Sequence, residues 1–177
     1  MHMRIRHDGF TLMELMVAIA VLGILTAIAI PSFRQMILAN RAASEANSVL
    51  SLLTLARSEA VKRNRPVIAC KSTSGTACST NATDTWDKGV LVYVDADASG
   101  TYNSGDTLVR SELPLSRRSI ITGDAALVNR VRFGSSGRPV QESGALLSGT
   151  VTITPATGAT AQTKYVVLAT TGRARIQ

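Results

Sequence analysis

The residue types able to do chemistry are few in this chain, and their spacing narrows what that chemistry is. Glu14 is the only charged residue in the run Phe10 to Ile30, "FTLMELMVAIAVLGILTAIAI". A carboxylate in hydrocarbon costs about 2.5 to 3.5 kcal/mol on insertion scales, so it requires a partner or a function. Cys70 and Cys78 enclose seven residues, a spacing that is no CxxC redox motif, and two cysteines are too few for a zinc site. Two free thiols or one small disulfide loop fit them, the loop being favoured if the chain is exported.

"DADASGTYNSGD" at Asp95 to Asp106 places oxygen-bearing residues at positions 1, 3, 5, 9 and 12 of a calcium-loop pattern, with Gly100 at position 6. Position 12 is Asp instead of the longer, bidentate Glu, and the flanks read as strands. An Asp/Gly/Asn hairpin connection with turn-capping carboxylates accounts for the same residues, and no metal is assigned. Arg130 and Arg132 alternate with Val131 and Phe133, so they share one face of a strand, which reads as solvated. The terminal "GRARIQ" holds Arg173 and Arg175 beyond the last strand candidate, with Gly172 free to turn the chain away from the sheet. Such an end is a frayed, solvated tail or a phosphate-binding arm.

Enzymatic readings fare poorly. Both histidines, His2 and His7, precede the apolar run, so loss of that leader leaves no histidine for a triad or a metal site. No SxxK pattern offers a lysine base. No catalytic residue, cofactor or enzymatic activity is therefore assigned.

The elements that must position these residues follow from periodicity. Phe10 to Ile30 has the length of a bilayer-spanning helix, for which about 20 residues suffice. Arg4 and Arg6 hold its leading end in the cytoplasm by the positive-inside rule, so the chain after residue 31 emerges in the periplasm or outside the cell. Pro31 predicts a kink or stop. Beyond it Ala46, Val49, Leu50, Leu53, Ala56 and Ala60 recur at helical spacing, and the helix is expected to end near Asn64, before Pro66. Strand candidates follow at "PVIAC", "GVLVYV", "TLVRSEL", "NRVRF", "TVTIT" and "KYVVLA", forming an antiparallel sheet packed on the helix's apolar stripe. The class is α+β. Charge is uneven: Phe10 to Asp106 has eight basic and eight acidic residues, whereas Thr107 to Gln177 has nine basic and three acidic, a net +6.

"G-F-T-L-x-E-L" at Gly9 to Leu15 resembles the processing site of type IV pilins and type II secretion pseudopilins. The resemblance implies that a prepilin peptidase cuts after Gly9 and methylates Phe10, and that Glu14 guides subunits into a filament. Cutting there also creates an ammonium four residues before Glu14, a counter-charge that a neighbouring subunit can supply. "LARSEAVKRNRPVIAC", "WDKGVLVYVDAD", "VRFGSSGR" and the terminal "TTGRARIQ" are similar to the FimT/GspH group of minor pilins and pseudopilins. That resemblance implies a type IV pilin-like fold: a leader at 1–9, a helix at 10–64 that spans the inner membrane at 10–31, and a β-rich domain at 65–177 with a basic tail. Its implied location is the inner membrane, with a periplasmic domain, and then an extracellular pilus. In FimT-type pilins a terminal Gly-Arg-x-Arg is associated with DNA capture in natural transformation. Carried over, this makes Gly172, Arg173, Arg175 and Gln177 the DNA-binding candidates, assisted by Arg138 and Lys164. The partners implied are DNA, other pilin subunits, the prepilin peptidase and the inner membrane. A GspH-like pseudopilin or assembly-initiating minor pilin with a purely structural role is the other reading.

Overall fold

The computed structural model of the chain describes residues 10–116, 118–157 and 162–177. Helix α1 runs from Leu12 to Arg63. Among the described residues nine strands follow: β1 (Val67–Lys71), β2 (Val90–Val94), β3 (Thr107–Glu112), β4 (Ser119–Gly123), β5 (Arg130–Phe133), β6 (Pro139–Val140), β7 (Gly149–Pro155), β8 (Lys164–Leu168) and β9 (Ala174–Ile176). The chain divides into two units, Met1–Ile37 and Leu38–Gln177.

In the first unit, α1 starts on a side-chain cap. Thr11 Oγ1 accepts a hydrogen bond from the Glu14 backbone N–H at 3.2 Å, and the Thr11 hydroxyl donates to Glu14 Oε2 at 3.4 Å. The Thr-x-x-Glu order is that of a capping box, and a carboxylate in the first turn faces the positive end of the helix dipole. Part of the expected demand for a Glu14 partner is thus met locally. Pro31 does not stop the helix, which continues through it; one missing N–H costs a single bond inside a ladder many turns long. The apolar stretch is exposed and long enough to cross a membrane.

In the second unit, α1 buries Ala42, Ala46, Val49, Leu52, Leu53, Ala56 and Ala60. Four of these seven are alanine, which keeps the buried stripe narrow. The expected single sheet is two antiparallel sheets, ordered β3-β2-β1-β5-β6 and β4-β7-β8-β9. Their inner faces share a core with the helix stripe, including Val67, Val92, Phe133, Ile121, Ile153, Val166 and Leu168. Strands β1 and β2 are buried at every position, because Ile68, Cys70, Leu91 and Tyr93 on the outer face pack beneath Cys78 and Tyr102. That two-sided burial is why both strands read as continuous apolar runs. Cys70 and Cys78 form a disulfide. Lys71, fully buried, donates to the Asn81 and Asp84 carbonyls and pins the same loop. Trp86 is a core anchor, its indole N–H donating to the Leu127 carbonyl at 3.0 Å.

The expected free basic tail is corrected. Ala174, Arg175 and Ile176 pair with Leu168, Val167 and Val166 as β9, the last strand of the second sheet. Gly172, at φ +83°, turns the chain back onto the sheet. Ala174 and Ile176 pack on the core, which anchors a segment that its charge alone would leave in solvent.

Candidate nucleic-acid interface

The β8–β9 hairpin places its polar residues by strand alternation. Arg175 lies opposite Val167, and Arg173 and Gln177 are hydrogen-bonded to Ala169 and Tyr165, so Arg173, Arg175 and Gln177 share one face with Tyr165. All four are exposed. Val167, Ala169, Thr171, Arg173 and Arg175 line an open groove of about 280 Å³.

The turn of this hairpin rests on a second turn from elsewhere in the chain. A Cβ added at Gly172 would stand 2.0 Å from the Gly137 carbonyl oxygen, so only glycine permits this approach. Arg57 of α1 bridges the two turns, donating to the Gly137 carbonyl at 3.1 Å and to the Thr171 carbonyl at 3.3 Å. Arg138 donates to the Thr170 carbonyl at 3.3 Å. Residues distant in sequence therefore hold this contact: Arg57 and Arg138 bind the two turns through their guanidinium groups, and Arg173 and Arg175 follow on the strand that leaves Gly172. Among the described residues no carboxylate lies within ion-pair distance of any of the four. Sequence reading missed Arg57 and Tyr165; the helical spacing of "LARSEAVKR" marks Arg57 only as a residue beside the buried stripe.

Three other arginines of the domain are already engaged. Arg130 pairs with Glu142 and donates to the Gly100 carbonyl, Arg110 pairs with Glu112, and Arg132 stands 3.6 Å from the buried Asp95 carboxylate. Burial pushes the Asp95 carboxyl above the usual range, while the Gly100 N–H and the Arg132 guanidinium pull it back down. Lys164 is not brought to the hairpin face. It lies opposite Ile153 at the far end of β8, on the side that carries Val166 and Leu168.

Residues 45–172 match the family described as Type II transport protein GspH, well over half of the chain. The chain belongs to the GspH family. Residues 4–30 of this GspH-family chain match the prokaryotic N-terminal methylation motif. Two crystal structures of the type IV minor pilin FimU of Pseudomonas aeruginosa PAO1 share its fold. One matches with a TM-score of 0.58 at 21% identity, covering 78% of this chain and 89% of FimU. The other matches with 0.54 at 21%, covering 76% and 90%. The chain thus combines GspH-family membership and the N-terminal methylation motif with the type IV pilin fold. GspH-family membership and the methylation motif imply assembly with other pilin subunits and processing by a peptidase. Gly9 lies outside the described residues; Phe10 and Glu14 lie in the first unit, and Arg173 and Arg175 lie beyond the GspH match.

Chemically, the hairpin is suited to anions. Guanidinium groups donate two parallel hydrogen bonds to phosphate oxygens, and residues alternating on one strand face present them in a line.

Proposed function

We propose that this minor pilin binds DNA without regard to sequence, for uptake in natural transformation, through the β8–β9 hairpin and the Arg57–Arg138 turn beneath it. The observation that carries this reading is the exposed pair Arg173 and Arg175 on one strand face, with no carboxylate at ion-pair distance among the described residues, beside a turn that Arg57 and Arg138 hold in place. Arg173 and Arg175 contact phosphate directly, Gly172 sets their turn, Gln177 extends the face, and Arg138 widens it. Phosphate contacts position a protein on a backbone and carry no base information. A few such contacts give affinity on the order of micromolar and a log-log salt slope of about 0.9 per contact on duplex DNA.

The test is an anisotropy titration of the processed full chain in non-ionic detergent, at several salt concentrations, against Arg173→Gln/Arg175→Gln. Glutamine keeps the stems that cover β9 and removes the charge. The expected result is a loss of affinity of about tenfold or more, with a slope shallower by about 1 to 2 units. Unchanged binding by the double variant excludes the hairpin. Absence of wild-type binding at low salt leaves the structural pseudopilin role.

The same proposal places the chain as an inner-membrane subunit: leader 1–9, helix 10–64 spanning the membrane at 10–31, periplasmic domain 65–177, then an extracellular filament. Cleavage after Gly9 by the prepilin peptidase makes methylated Phe10 the first residue, and its ammonium pairs with Glu14 of a neighbouring subunit. Intact mass of membrane-extracted protein checks the first step, the expected start being Phe10 and retained residues 1–9 overturning it. Glu14→Ala is expected to be cut normally and to enter filaments poorly.

A further inference from the structure

We propose that the β2–β3 connection, Asp95 to Asp106, is a calcium site. Oxygens of the Asp95, Asp97 and Asp106 carboxylates lie within 4.8 Å of one another. Clustered acidic groups are common on protein surfaces, but this cluster is built around a buried one. Asp95 has no solvent exposure, and its Oδ1 has no hydrogen-bond partner. Its Oδ2 accepts from the Gly100 N–H at 3.2 Å and faces Arg132 at 3.6 Å. A buried carboxylate oxygen left unpaired beside two further carboxylates is the arrangement that a hard, oxygen-seeking cation completes.

The loop supplies the remaining oxygens. Asn103 Nδ2 donates to Asp97 Oδ2 at 3.0 Å and to Ser99 Oγ and the Thr101 carbonyl at 3.3 Å each. Three oxygens, from positions 3, 5 and 7 of the loop pattern, therefore already point at one place. Flipping the Asn103 amide puts a fourth oxygen there, at the expense of the Gly105 N–H that its Oδ1 now accepts. Gly100, at φ +73°, makes the sharp turn required at position 6, and a Cβ there would press on the Arg130 guanidinium at 3.3 Å. Asp106 at position 12 already holds the loop closed, accepting from the Ala96 and Asn103 N–H groups. Asp is shorter than the bidentate Glu usual there, and Arg132 offsets part of the negative charge. Both lower affinity toward the range of about 0.1 to 1 mM found in extracellular modules. The site is independent of the nucleic-acid reading, since the loop and the β8–β9 hairpin share no residue.

The experiment uses the processed full chain in detergent, stripped with chelator and titrated with calcium chloride or magnesium chloride at constant ionic strength. Bound calcium is counted by equilibrium dialysis and Tm is followed in parallel. The expected result is one calcium bound and a Tm raised by about 3 to 6 °C at about 5 mM calcium, with little response to magnesium. Asp97 is exposed, so Asp97→Asn is a variant that folds, and it is expected to weaken binding about tenfold. No calcium bound at about 10 mM, an equal response to magnesium, or Asp97→Asn binding as tightly as wild type overturns the proposal.

Discussion

The domain contains two Arg-x-Arg segments on β-strands, and they meet opposite fates. In β5, Arg130 and Arg132 face the Asp95 loop and Glu142, and both are taken up by carboxylates or carbonyls. At β9, Arg173 just before the strand and Arg175 within it face solvent over a groove, and among the described residues no carboxylate lies at ion-pair distance from them. The local pattern is the same, charged residues alternating with apolar ones that pack on a shared core. What differs is the neighbour. Strand β5 lies between β1 and β6, close to the acidic connection that leaves β2, whereas β9 is the edge strand of the second sheet. Net charge therefore overstates the basic surface: the excess belongs to the whole C-terminal half, but part of it is taken up by carboxylates, whereas Arg173 and Arg175 stay unpaired among the described residues.

The largest effect that sharpens this contrast is expected at Gly172. Alanine there would hold φ +83°, a conformation that costs a non-glycine residue about 1 to 3 kcal/mol. Its Cβ would also meet the Gly137 carbonyl at 2.0 Å, and a backbone atom, unlike a side-chain tip, cannot swing aside. Gly172→Ala is expected to lower unfolding free energy by about 3 kcal/mol and to weaken DNA binding about tenfold, because the turn carrying Arg173 moves off Gly137. Urea denaturation and anisotropy on the same preparation check both. Wild-type stability and binding would show that the paired turns do not position the arginines.

The β5 pair gives the converse experiment. Arg132→Gln removes the charge nearest the fully buried Asp95 carboxylate. A loss of about 1 to 2 kcal/mol in unfolding free energy is expected, with DNA affinity unchanged within about twofold. A drop in DNA affinity matching that of the β9 double variant would erase the distinction between the two segments.

Much of this arrangement was legible in the sequence, and the failures have physical causes. The end of α1, strands β1, β2, β3, β5, β7 and β8 and the favoured Cys70–Cys78 pairing follow from periodicity, turn residues and compartment. Strands β4, β6 and β9 were missed. The last two, at two and three residues, are shorter than the stretch needed to show alternation, and they owe their state to sheet partners. For β9 the difference is consequential: by sequence Gly172 is a release point, whereas its positive φ folds the terminus back. The division into two sheets was invisible because strand order is a long-range property. Arg57 and Gly137 are 80 residues apart, so nothing local foretells their hydrogen bond. Arg173 and Arg175 stand out in the sequence by type and spacing, whereas the turn contact that supports them does not.

The smallest expected effect is at Lys164, which has the right charge in the wrong place. It sits at the start of β8, opposite Ile153, on the side of the strand that carries Val166 and Leu168. Arg175 lies opposite Val167 on the other side, three residues along, about 10 Å at the strand rise, and Arg173 lies further still, beside Ala169. The Debye length at physiological ionic strength is about 8 Å, so a charge at that range contributes only a screened attraction and no contact. Lys164→Gln is expected to change DNA affinity by less than about twofold near physiological salt and to leave the salt slope within about 0.5 of wild type. The same anisotropy series at rising salt measures both. A loss as large as that of Arg173→Gln/Arg175→Gln would mean that DNA responds to the summed field of the C-terminal half, and the contrast between the engaged β5 arginines and the free β9 arginines would then have no bearing on binding.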